Sequence, residues 1–273
     1  MKIKSLSTVA ASLMLSVLSI SAQSIYSDDF SSGGFSGYTV SSSANADRGA
    51  VIVDETTTTP TNPFSGNAAH IYDFKDGSAI RVQKDYTLTA STQLVQLIQF
   101  DAALATAADT TDGTLVFRVA NAGTSISSQS NSAFELQLRQ TGVLAIYGAT
   151  NNGFSDEINV AGSSLSIYAN SSSDTIVMSD LADNELTLQA NEFAVYSNGS
   201  KLGVWGFFSN NFSSSDGIGS LGFVSNTATN GTNVIIDNIS VTAIPEPSAT
   251  TLLMGSSVLV FSLSRLGYKV NQN

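Results

Sequence analysis

The chain has no cysteine, one histidine, one tryptophan and four prolines in 273 residues, and 11 lysines and arginines stand against 22 acidic residues. Without a thiol there is no disulfide framework, no thiolate nucleophile and no Cys-based metal site, so a folded body must be held by packing or by packing together with bound ions. The lone histidine, His70, lies in a strand-like run from Ala68 to Phe74, and no G-x-S-x-G elbow accompanies it. It therefore reads as a structural or surface residue rather than the base of a nucleophilic site. Cations are scarcer still in the body. Setting aside Lys2, Lys4, Arg265, Lys269 and Glu246 leaves 7 basic and 21 acidic residues, a net charge of −14. Such a surface repels a phosphate backbone, which argues against nucleic-acid binding, and attracts divalent cations. Sustained 3.6-residue periodicity and internal repeats of fixed period are also missing, which disfavours helical bundles, solenoids and propellers.

What the body has is short apolar runs separated by Gly, Ser, Asn, Thr and Asp. Phe134 to Arg139 alternates strictly, which puts Phe134, Leu136 and Leu138 on one face and the polar residues on the other. Leu115 to Val119 follows the same rule. Leu94 to Leu104 is apolar on both faces and suits a central, covered strand. Phe193–Tyr196, the Asn198-Gly199 pair and Leu202–Val204 read as a tight hairpin, because Asn-Gly supplies two positive φ angles. Val143–Tyr147, Leu165–Tyr168, Leu221–Val224 and Val234–Val241 complete the set. We expect one antiparallel β-sandwich over 25–243. Ala102–Ala108 reads as a strand end plus loop, and Asp180–Leu188 stays open between helix and strand.

The two ends differ in kind. Residues 1–24 read as a secretory signal peptide: Lys2 and Lys4 precede an apolar, Ser/Ala-rich run, and cleavage is expected after Ala22 or Ser24. Over 244–273, Ile244-Pro245-Glu246-Pro247-Ser248 leads into a hydrophobic segment, 249–264, and then to Arg265 and Lys269. The prolines hold the motif extended, and basic residues beyond the apolar run favour a cytoplasmic end. This layout resembles the PEP-CTERM sorting signal of exopolysaccharide-producing, mostly Gram-negative bacteria, although family members usually end in a tighter arginine cluster. The resemblance implies that an exosortase-type membrane enzyme is a partner acting near Pro245, Glu246 and Pro247. It further implies a membrane-inserted C-terminal helix before processing, and a cell-surface or extracellular-matrix destination.

Chemistry in the body is sparse. Gly217–Gly222 fits G-x-G-x-x-G, but a Ser-rich loop precedes it and a strand follows, so it reads as a turn. No alternating acidic set of the glucanase kind is present: Asp156 and Glu157 are adjacent, and Asp183 and Glu185 fall in the ambiguous segment. Asp237 shares parity with Ile235, Ile239 and Val241, so a regular strand would turn its carboxylate toward an apolar face. A β-bulge at Asp237-Asn238 is one account. The functional alternative is a structural Ca²⁺ shared with Asp28 or Asp29, if the first and last strands pair. Tyr26–Phe30, Ile236–Val241 and Tyr196–Leu202 resemble the terminal strands and a hairpin of laminin-G/concanavalin A-like and carbohydrate-binding jelly rolls. Trp205, Phe207, Phe208 and Phe212 cluster after the hairpin and read either as core or as a sugar-stacking platform built on Trp205, Phe207 and Phe208. The expected function is a non-catalytic, surface-sorted protein associating with extracellular polysaccharide or the envelope. The alternatives are a surface-coat component without a ligand site and, third, a glycosidase or lyase on the same scaffold.

Overall fold

The structure is a computed structural model that describes residues 22–41, 44–57, 59–75, 77, 79–88, 93–107, 113–149, 154–208, 211–225 and 231–245. The signal-peptide run, Glu246, Pro247 and the segment 249–264 lie outside the described residues. Among the described residues no helix is long and apolar enough to cross a membrane.

Among the described residues, seventeen strands form two large antiparallel sheets and one small hairpin. Sheet A runs β15 (Ser200–Gly206), β14 (Glu192–Ser197), β11 (Ser163–Asn170), β6 (Val95–Leu104), β17 (Thr232–Ala243), β4 (Ala68–Asp73) and β3 (Arg48–Val53), with β1 (Gln23–Asp28) also pairing β17. Sheet B runs β10 (Phe154–Glu157), β9 (Val143–Tyr147), β8 (Ser132–Arg139), β7 (Thr114–Ala120), β16 (Ser220–Ser225), β5 (Arg81–Asp85) and β2 (Tyr38–Val40). The segment left open, Asp180–Leu188, is the turn and second strand of a hairpin, β12 (Ile176–Ser179) with β13 (Glu185–Leu188). Leu186 and Leu188 alternate inward there, and they pack with Tyr168 and Tyr196 on the outer face of sheet A. That cover explains the apolar character of both faces of β6, since Leu97 packs beneath the same hairpin.

The core between the sheets comes from strict alternation. Phe134, Leu136 and Leu138 of β8 and Leu115, Phe117 and Val119 of β7 point inward, against Ile98 and Phe100 of β6 and Phe193 and Val195 of β14. Ring contacts tie the layers together. Phe134 of sheet B stacks on Phe193 of sheet A at 4.1 Å and 12°, and Phe100 lies 4.7 Å from Phe117 and 5.4 Å from Phe223. The β14–β15 hairpin turns through Asn198 (φ 49°) and Gly199 (φ 79°), as the Asn-Gly pair predicts. Gly217–Gly222 is a turn leading into β16, not a helix start.

Candidate functional site

β17 is the strand on which the ends of the chain meet. β4 pairs its first half up to Ile236, and β1 pairs its second half from Ile239, so two strands abut along one edge. At that junction two residues of β17, Asn238 and Ile239, stand opposite one of β6, Phe100: Asp237 faces Asp101, and Ser240 faces Gln99. The extra residue is a β-bulge, with Asn238 at φ 52°. It also inverts the parity of the strand. Ile236, Ile239 and Val241 join the main core, whereas Ile235 packs on the other face in a separate cluster with Val53 and Ala68. Asp237 therefore does not face the main core. It lies on the Ile235 side, yet only 1% of it is exposed.

Its Oδ1 accepts the Asn238 amide at 2.7 Å. Burial, and then the fields of Asp101, Asp29 and Asp28, push its pKa up to about 6. Asp101 stays well supplied with donors, accepting Asn238 Nδ2 at 2.7 Å on Oδ2 and the Ser164 hydroxyl on Oδ1. The first and last strands do pair, which brings Asp28, Asp29 and Asp237 into one electrostatic neighbourhood. They do not form a ligand set. Asp28 accepts Phe30 N at 2.8 Å and the Tyr26 hydroxyl at 3.0 Å, and Asp29 accepts Ser31 N at 3.0 Å. Among the described residues, no group of three His, Cys, Asp or Glu side chains is arranged to hold a metal ion. The bulge accounts for the face to which Asp237 turns.

The aromatic platform also needs correction. Trp205 is 8% and Phe207 6% exposed, and both belong to the main core, with Trp205 stacked on Phe193 at 5.7 Å. Pairing of β15 with β14 turns the indole inward, so neither ring offers a face to a ligand. Phe208 lies past the end of β15, half-buried, with its amide bonded to Ala133 O. His70 is buried, bonded through Nε2 to Asn233 Oδ1 at 2.6 Å, and burial lowers its pKa, which fits a structural residue.

A second polar arrangement, on the outer face of sheet B, was not foreseen from the sequence. The odd-parity residues of β8 and their neighbours build a ladder. Arg139 donates to Gln137 Oε1 through Nε (3.2 Å) and Nη2 (2.8 Å), Gln137 Nε2 donates to Glu135 Oε1 (3.0 Å), and Arg118 Nε donates to Glu135 Oε2 (3.0 Å). Glu135 is 3% exposed and is neutralised by that ion pair. The β7–β8 loop folds back over the ladder. Arg118 Nη1 holds the carbonyls of Ile126 and Ser127, and Gln83 holds Thr124 O and the Ile126 amide. Ile126 sits above Gly222, where a Cβ would come within 2.8 Å of its Cδ1 and 2.1 Å of Val82 O. Beside the loop is a cavity of about 180 Å³ lined by Ala79, Val116, Arg118, Ser127, Gln137, Val224 and Ser225. In the sequence, only the polar alternation of β8 hinted at this face.

No protein-family model matches the chain, and no curated protein matches it. Several solved structures are similar in fold. A carbohydrate esterase from the Shiga toxin-encoding bacteriophage phi24B has a TM-score of 0.52 at 15% identity, covering 82% of this chain and 99% of that one. A cellulose-induced protein has a TM-score of 0.49 at 13% identity, covering 80% and 97%. A Bacillus subtilis protein of unknown function with a galectin-like fold has a TM-score of 0.47 at 9% identity, covering 82% and 97%. The first likeness agrees with the two-sheet architecture.

Proposed function

We propose that the chain is an exported, surface-sorted, non-catalytic sandwich of the jelly-roll, concanavalin A-like kind that associates with extracellular polysaccharide or the cell envelope. The observation that carries this reading is the outward face of sheet B. There, the planar side-chain groups of Arg139, Gln137, Glu135 and Arg118 are linked in a chain of mutual hydrogen bonds beside an apolar-floored cavity. Fixed planar donors and acceptors suit vicinal hydroxyls, and their mutual bonds lower the entropy lost on binding. The similarity in fold to a carbohydrate esterase is in keeping with this, although it speaks to the scaffold alone. Export and sorting rest on the signal-peptide-like start and on the PEP-CTERM-like tail at Pro245, Glu246 and Pro247. In this reading an exosortase-type enzyme processes the tail, after 249–264 has held the chain in the membrane.

The test is retention of the purified protein on a panel of insoluble polysaccharides, including the producer's own, with its fold checked by circular dichroism. Specific retention is the expected result. A folded protein that no matrix retains would favour a surface-coat role without a ligand site. Turnover of a polysaccharide, abolished by one carboxylate substitution, would instead make it a hydrolase or lyase.

A further inference from the structure

We infer that the cavity beside the β7–β8 loop is a subsite for a single neutral hexose unit, with the loop serving as its wall. This rests on the polysaccharide reading above and specifies where and what kind of sugar is held.

Three properties of the cavity select the ligand. The first is size: about 180 Å³ matches one six-membered sugar ring, so any longer chain must run out through the open mouth. The second is its two-sided lining. Val116 and Val224 are cross-strand partners on adjacent strands and form an apolar floor with Ala79, suited to the C–H face of a pyranose. Gln137, directly opposite Val116 on β8, and Arg118 and Ser127 form the polar rim. The third is charge. Arg118, the cation that lines the cavity, is already paired with Glu135, whose side chain is buried, so it offers no uncompensated charge to a uronate, sulfate or phosphate. The acidic body would repel such groups as well.

The rim has hydrogen-bonding capacity to spare. Arg118 uses Nε and Nη1 on the protein, and Nη2 has no hydrogen-bond partner among the described residues. Gln137 Nε2 donates one hydrogen to Glu135, which leaves its second. Among the described residues the Ser127 hydroxyl pairs only with Ser125 Oγ, at 2.9 Å, which leaves it a lone pair. Adjacent ring hydroxyls can accept from the first two groups while one donates to the third. The loop that supplies Ser127 is pinned from below at three points, by Arg118, by Gln83 and by Arg81 on Ser125. The wall is thus in place before a ligand arrives.

The experiment is affinity electrophoresis and pull-down of the full-length protein on cellulose, chitin, starch, β-1,3-glucan and mannan, with alginate and pectate as acidic controls. Glucose, galactose, mannose and N-acetylglucosamine serve as soluble competitors. We expect retention on at least one neutral polymer, competition by its monosaccharide and no retention on the acidic ones. Gln137→Leu should weaken retention about tenfold, the effect of one lost hydrogen bond. Ala79→Leu, in the floor, should abolish it by filling the cavity, and it keeps the test decisive should Gln137→Leu fail to fold. Retention unchanged in folded Ala79→Leu overturns the subsite but leaves the polysaccharide reading standing. Preference for alginate or pectate overturns the neutral-sugar assignment. Absence of wild-type retention on every matrix sinks the polysaccharide reading itself.

Discussion

Replacing Asp237 by Asn removes a charge but keeps an Oδ1 acceptor for the Asn238 amide, so it isolates the electrostatic cost of the bulge. The carboxyl has a pKa near 6 in the folded chain, against 3.8 for the free group. A raised folded pKa means that the native state binds the proton more tightly. Its contribution is therefore intact below about pH 4 and is lost as pH rises through about 6. At about 1.4 kcal/mol per pH unit the full difference amounts to roughly 3 kcal/mol. Part of it comes from Asp29, an exposed residue whose field is screened by salt, so we expect about 1–3 kcal/mol. Asp237→Asn should match the wild type near pH 4 and exceed its stability by that amount at pH 7.5. The corresponding rise in Tm is roughly 2–10 °C. Taking the mutant-minus-wild-type difference cancels the titration of Asp54 and Asp180, whose lowered values act in the opposite direction. Urea unfolding followed by the single tryptophan, Trp205, measures it directly. A variant equally or less stable than the wild type at pH 7.5 would refute the argument. So would stabilisation of the wild type by millimolar Ca²⁺ that the substitution abolishes, because the carboxylate would then be a metal ligand.

Three further outcomes follow from the packing. Trp205→Ala should cost about 3–5 kcal/mol as a core deletion, and a melting temperature within error of the wild type would contradict the buried position. Arg118→Met should cost about 3–5 kcal/mol by stranding Glu135, and adding Glu135→Leu should recover most of the loss; a double variant as unstable as the single one would show that the ion pair is not the cause. Asn170 heads the N-x-Ser sequon Asn170-Ser171-Ser172 but should stay unmodified in any host, because its buried Nδ2 donates to the carbonyls of Asp174, Leu188 and Gln189; a glycopeptide at Asn170 would disprove that network.

The sequence by itself determined the elements whose cause is local. Period-two alternation in Phe134–Arg139 and Leu115–Val119 makes strands whichever partners they find, because side chains on successive residues must point to opposite faces. Asn198-Gly199 determines its hairpin for the same reason, since both residues enter positive φ cheaply. The doubly apolar run at Leu94–Leu104 likewise announced a covered central strand. Tertiary pairing decided everything at the sites. Asp237 reads as inward-facing from its neighbours, and only the register against Asp101 and Gln99 reveals the bulge that turns it to the other face. Trp205 reads equally well as a platform or as core, and its burial is set by Phe193 on the strand alongside. The ladder on sheet B joins residues 118, 135, 137 and 139 to a loop at 124–127 and a strand at 83, whose proximity arises from the order β8-β7-β16-β5. Local patterns fix which way a side chain points along its own strand, whereas a site needs several strands in register, and register is a property of the assembled sheet.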